Sequence, residues 1–142
     1  MKILVATEGS KPALHAVKYA VKLLRSLSST SNAITLVSVH DDVGLRHAKA
    51  FVGKDAVADD LRELSEKELK PARKRLDSAG VKHDMEVRTG PVAQEIVRCA
   101  KAGKFDLIAL GAKGRGAIAD LLLGSVAQRV LTMADMPVVL VR

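Results

Sequence analysis

The strongest constraint on this chain is an alternation that does not break. Short apolar runs of strand length recur between longer stretches whose apolar residues return every three or four positions. Lys2 to Ala6 is the first run. Ser10, a good N-cap residue, opens a helical stretch reaching about Leu27. Pro12 sits in its first turn, where a missing N–H costs little, and Ala13, Val17, Ala20, Val21, Leu24 and Leu27 share one face. Ala33 to Val39 is the second run. Asp59 to Ala79 is helical again, with Leu61, Leu64, Leu69, Ala72 and Leu76 as its apolar face and the acid–base remainder as a solvated face. Glu63–Lys67 and Glu66–Lys70 support this helix as i,i+4 pairs, and Pro71 is expected to kink or divide it. Val81 to Arg88 is the third strand, with Met85 and Val87 facing inward. Val92 to Ala102 is a helix, Phe105 to Leu110 an apolar strand buried on both faces, Ser125 to Ala134 a helix, and Pro137 to Val141 the last strand. Only His40 to Asp60 lacks a clean period, and it reads as loop or irregular helix.

Strict β-α alternation dictates a parallel sheet with helices on both faces, because parallel neighbours need a crossover and crossovers are right-handed. The expected fold is therefore α/β: a three-layer, Rossmann-like or flavodoxin-like domain spanning 1–142, with five parallel strands in the order 3-2-1-4-5. In such sheets ligands bind at the carboxyl ends of the strands where the winding reverses. That rule directs attention to two loops, Thr7 to Ser10 after the first strand and Gly111 to Gly116 after the fourth.

Composition narrows the partners. The net charge of +7 admits anions, but aromatics make up only 2% of 142 residues, and single-strand nucleic-acid binders stack bases on aromatic platforms. No helix carries a dense run of Lys and Arg without intervening acids, so nucleic acid is disfavoured. Cys99 is alone, which excludes an internal disulfide and suits a reducing, cytoplasmic setting; it reads as a small, half-buried, unreactive residue. The opening MKILVATEGS turns polar too soon for a signal peptide, and no apolar run has the length of a membrane span. His15, His40, His47 and His83 have no metal-ligand spacing, and Met133 and Met136 read as core filler.

The loop after the fourth strand carries the chemistry. Gly111-Ala112-Lys113-Gly114-Arg115-Gly116 leaves that strand directly, and Gly124-Ser125 opens the next helix. Glycines allow positive φ and close backbone approach, and their exposed N–H groups can form an anion nest. A helix N-terminus bearing the Ser125 hydroxyl is a second anion site. Two such sites flanking one loop suit a polyphosphate, with Lys113 and Arg115 adding positive charge. The P-loop string is absent, and a loose G-x-G-x-x-A at Gly114 follows the wrong strand for a dinucleotide fold.

The spacing Gly111-x2-Gly114-x9-Gly124-Ser125 resembles the G-2x-G-9x-G-[ST] pattern of ATP-binding universal stress proteins. Leu121-Leu122-Leu123-Gly124-Ser125-Val126-Ala127, the closing Pro137-Val138-Val139-Leu140-Val141, and the opening Ile3-Leu4-Val5-Ala6 followed by an acid, Gly9 and Ser10 are similar to that family too. The resemblance implies a five-stranded parallel sheet, ATP with Mg2+ at the carboxyl ends of the strands, and a homodimer. It implies that Gly111, Gly114, Gly124, Ser125 and Val126 line the phosphates beside Lys113. Ala6, Thr7 and Glu8 would border ribose and adenine, with Ser10 at the helix start, and Val39 would meet the adenine through its backbone. Glu8 stands where the family usually has Asp, and Ala127 lacks a hydroxyl that some members carry. No catalytic constellation accompanies the loop, so a regulatory module with at most slow ATP hydrolysis is expected, or alternatively a nucleotide-free dimeric interaction protein. The apolar strand Pro137 to Val141, uncharged until Arg142, is the expected dimer edge.

Overall fold

The computed structural model describes residues 1–41, 53–114 and 123–142. Five strands, β1 (Lys2–Ala6), β2 (Ala33–His40), β3 (His83–Thr89), β4 (Leu107–Gly111) and β5 (Val138–Val141), form one parallel sheet in the order β3-β2-β1-β4-β5. Four described helices flank it: α1 (Lys11–Arg25), α2 (Lys54–Ser78), α3 (Val92–Ala102) and α4 (Ser125–Met133). The expected fold and strand order are those observed.

The sheet separates two cores. Ile3, Val5, Ile34, Leu36 and Ala109 meet α1 and α2 on one face, while Leu4, Val37, Ile108 and Leu110 meet α3 and α4 on the other. Successive strand residues point to opposite faces, so the continuous apolar runs of β1 and β4 fill both layers. None of the helices among the described residues is long and apolar enough to cross a membrane.

Two expectations need correction. α2 begins earlier than its periodicity suggests and runs unbroken through Pro71, which sits exposed on its outer side. Leu69, Ala72 and Leu76, all buried, anchor the helix on both sides of the proline, and this packing outweighs the one backbone hydrogen bond that proline removes. On β3, Met85 and Val87 are 44% and 45% exposed. They share a face with Leu36 and Ser38, their register partners, but β3 is the outermost strand and α2 lies over β2 and against α1. The other face of β3 is covered by α3 and is charged: Arg88 bonds Glu86 and Glu95 at 2.6 and 2.9 Å, and Glu95 also bonds Arg98 at 2.8 Å. Met133, expected in the core, is 38% exposed.

Candidate functional site

The winding reverses between β1 and β4. α1 leaves β1 towards one face of the sheet, and α4 follows β4 onto the other. β2 outruns β1: its pairing with β1 ends at Ala6↔Val37, whereas its pairing with β3 continues to His40↔Thr89. Val39 therefore projects past the end of β1 and walls a crevice whose floor is Ala6 and Thr7, 8% and 3% exposed.

On the β1 side the turn is held by its own groups. The Thr7 N–H donates to the Val37 carbonyl at 3.0 Å, and the Gly9 N–H donates to Thr7 Oγ1 at 3.2 Å. Gly9 has φ +85°, a left-handed conformation that glycine takes without strain. The Ser10 hydroxyl donates to Glu8 Oε1 and accepts from the Ala13 N–H at 3.3 Å, so Ser10 caps α1 as its residue type foretells.

The β4 side is built differently. The Ala112 N–H donates to the Val141 carbonyl at 2.7 Å, tying the start of the loop to β5. The Gly124 N–H donates to the Ala112 carbonyl at 2.7 Å, which brings the two ends of the loop together. A Cβ on Gly124 would lie 3.4 Å from the Gly114 nitrogen and 3.5 Å from Lys113 Cα. Gly124 is the N-cap of α4 and offers no side-chain cap; the first turn holds no acid, and Ser125 is exposed. The first turn of α4 thus starts beside Gly114.

Each glycine of this loop has its own physical reason. None of Gly111, Gly114 and Gly124 has a positive φ, so the requirement here is space rather than backbone handedness. A Cβ on Gly111 would lie 2.7 Å from Pro12 Cβ and 2.8 Å from the Pro12 carbonyl carbon. Gly111 is therefore required by the first turn of α1 packing onto β4, a role the spacing of the motif does not reveal. Gly114 is exposed, and among the described residues a Cβ there would meet nothing closer than Glu8 Cδ at 3.9 Å. The Glu8 carboxyl thus stands at the rim of Gly114. Lys113 is half-buried on the same loop. Val126 packs its side chain against the core of α3 and α4. Arg115 lies outside the described residues.

A second polar group at the end of β2 escaped the sequence. Ser38 and Ser65 are almost fully buried and Glu68 is 7% exposed. Ser38 Oγ donates to Glu68 Oε2 at 3.1 Å, and Ser65 Oγ donates to the Leu61 carbonyl at 2.7 Å. His40 Nε2 lies 2.9 Å from Ser65 Oγ and 3.2 Å from Ser38 Oγ. Both hydroxyl hydrogens are committed, so Nε2 must carry the hydrogen and donate. The network holds the end of β2, and with it Val39, against α2. Its only sequence signal is Ser38-x-His40 closing an apolar strand, with Ser65 and Glu68 one helical turn apart.

Cys99 is buried and its thiol donates to Glu86 Oε2 at 3.4 Å. Burial first, then the Glu86 carboxylate, pushes its pKa up to about 11, so it stays a thiol at neutral pH.

The family model for "Universal stress protein family" matches residues 1–142. Universal stress protein MJ0531 of Methanocaldococcus jannaschii is 35% identical over 141 residues, covering 99% of this chain and 81% of the relative. The solved structure of protein MJ0577 from the same organism superposes with a TM-score of 0.78 at 25% identity, covering 99% of this chain and 94% of that one. The universal stress protein of Archaeoglobus fulgidus, solved in complex with dAMP, has the same fold with a TM-score of 0.69 at 19% identity, covering 100% and 98%.

Proposed function

The chain belongs to the universal stress protein family, and from that premise we propose that it is an ATP-binding regulatory module whose filled and empty states are read by partners. The observation that carries the reading is the α4 N-terminus. Its N-cap Gly124 offers no side-chain cap, its first turn carries no acid, and Gly124 is tied to Ala112 so that the turn starts beside Gly114. A helix N-terminus beside a glycine loop favours a phosphate chain by dipole and by direct N–H donation.

In this reading Gly114, Gly124, Ser125 and the Val126 backbone hold the phosphates, with Lys113 and Arg115 supplying charge. Gly111 acts indirectly, by letting α1 close on β4. Ala6, Thr7 and Ser10 border the sugar, and the backbone at Val39 reads the adenine edge. Mg2+ enters with the triphosphate, and Glu8 is the carboxylate at the rim that can face it. A relative of the same fold was solved with dAMP, which supports an adenine nucleotide. The hydroxyl–carboxylate contact at the crevice, Ser10 with Glu8, serves the cap of α1, so hydrolysis is at most slow.

Homodimerisation through β5 is part of the proposal. β5 pairs on one side only, with β4, and all four of its residues are half-buried. α4, which packs on β5, exposes Leu131 (44%) and Met133 (38%). An uncharged edge beside exposed apolar side chains suits an isologous contact. Light scattering at micromolar concentration checks it: a mass near 15.1 kDa would rule the dimer out.

One observation favours a second reading, a nucleotide-free interaction protein. The Glu8 carboxylate, engaged with Ser10, stands at the loop an anion must enter. Thermal melting separates the two. A ligand binding only the folded state at a thousandfold excess over Kd stabilises it by about 4 kcal/mol. ATP with magnesium should raise the melting temperature by several degrees and GTP by less. No shift from either nucleotide favours the second reading.

A further inference from the structure

α1 and α2 lie side by side on one face of the sheet, and their outer sides enclose a groove of about 820 Å3 that the nucleotide reading does not use. Its floor is apolar, made by Leu14, Val21, Pro71 and Ala79. Its walls are Lys18, Lys22 and Arg25 on α1, and Lys74 and Arg75 on α2. No Asp or Glu lines it, and among the described residues none of these five cations forms an ion pair. Arg25 Nη2 donates to the Ala79 carbonyl at 3.1 Å and ties the helices together at one end.

Dimensions and charge layout select the occupant. Leu14 to Arg25 covers about 16 Å at 1.5 Å per residue, the length of three helical turns. The cations run along the α1 wall as Lys18, Lys22 and Arg25 and are faced by Lys74 and Arg75 on α2, so they match charges distributed along a ligand, not a single head group. The floor is apolar, which a nucleic-acid backbone would leave unmatched, and the surface is concave, whereas a bilayer is flat. We infer that the α1–α2 groove docks an acidic amphipathic helix of a partner protein. The helix would lay an apolar stripe on Leu14, Val21 and Pro71 and point flanking carboxylates at Lys22, Lys74 and their neighbours. This site is distinct from the crevice at the carboxyl ends of the strands, so partner docking and nucleotide binding occupy different parts of the same module.

The test uses fluorescence polarisation on the full chain with a labelled helical peptide of about 15 residues, Leu at i, i+3, i+4 and i+7 and Glu on the flanks. Saturable binding is expected. It should weaken at least tenfold when the peptide is scrambled to break the stripe, and at least tenfold in Lys22→Glu/Lys74→Glu. That charge-reversed protein should instead bind a peptide with Lys flanks. Both substituted residues are exposed, so the melting temperature and its rise with ATP should remain as in the wild type. Ser78→Trp, which fills the groove without touching its charge, should also abolish binding. Equal affinity for the scrambled peptide, unchanged affinity in both variants, or tighter binding to a 20-base-pair duplex or to anionic phosphatidylglycerol vesicles would overturn the assignment. A failure of nucleotide binding leaves these outcomes unaffected, because the ATP melt is measured separately.

Discussion

Two helices start at the same crevice and end their backbones in opposite ways. α1 is closed from within: Ser10 accepts from the Ala13 N–H, Glu8 holds Ser10, and Pro12 packs onto Gly111. α4 is left open among the described residues: its N-cap Gly124 offers no side-chain cap, and its first turn holds no acid. α3 lies between them: its N-cap Pro91 makes no side-chain cap, but its first turn carries an acid, Glu95, held by Arg88 and Arg98. Every helix leaves N–H groups unsatisfied at its start, and a protein normally supplies the acceptor itself. α2 and α3 also start without a side-chain cap, so what sets α4 apart is its place, beside a glycine loop at the reversal of the sheet, where an acceptor from outside is expected.

The largest effect should come from breaking the closure of α1. In Gly111→Ala the new methyl group meets the Pro12 backbone below 3 Å. Overpacking of this kind costs about 1–3 kcal/mol, and urea unfolding should read it directly. Moving α4 into the class of α1 should act next. Gly124 has φ −72° and a Cβ there makes contacts of 3.4 Å and longer, so Gly124→Asp is accommodated and caps the helix with its own anion. The nucleotide-free melting temperature should hold or rise, while ATP affinity falls at least tenfold, equivalent to about 1.4 kcal/mol. If ATP affinity were unchanged, α4 would not be the phosphate site. Ser10→Ala should cost about 1 kcal/mol of stability and change ATP affinity less than threefold, because the Ser10 hydroxyl, though at the border of the sugar, is committed to Glu8 and the cap of α1; a larger loss of affinity would make that hydroxyl a ligand contact.

The smallest effect concerns α3. The hydrogen bond from Arg88, more than that from Arg98, holds the Glu95 carboxyl below its ordinary pKa, against the opposing effect of burial. Its folded pKa lies below the unfolded value, so the stabilisation is complete above the ordinary carboxylate pKa and is lost as the pH falls through the lowered one. The stability gap between wild type and Glu95→Gln should therefore be widest at neutral pH and close as the pH drops below about 4. A gap that stayed the same at every pH would mean that Glu95 acts by shape, not charge.

Much of this was legible in residues. The buried runs Ile3 to Ala6 and Leu107 to Leu110 need no helix-period reading, and the order of elements prescribes the sheet. Ser10 announces its cap by residue type. What the sequence hid is what depends on neighbours distant in the chain. Gly111 reads as a ligand glycine but is demanded by Pro12, roughly a hundred residues away. Met85 and Val87 have the right alternation and the right face, yet the helical layer stops short of the edge strand. Pro71 carries a local penalty that tertiary burial of Leu69 and Leu76 overrides. Ser38, His40, Ser65 and Glu68 look like scattered polar residues until two elements bring them together.

The central claim is that the open α4 terminus and Gly114 hold a phosphate chain. Isothermal titration of nucleotide-stripped protein with ATP and magnesium, run in parallel on Gly114→Ala, tests it most directly. Among the described residues that methyl meets only Glu8 Cδ, at 3.9 Å, so the variant should melt as the wild type does without nucleotide. The account predicts one saturable site per chain in the wild type and affinity reduced at least tenfold in the variant. Equal affinity in both proteins, or no binding heat in the wild type at millimolar ATP, would contradict it.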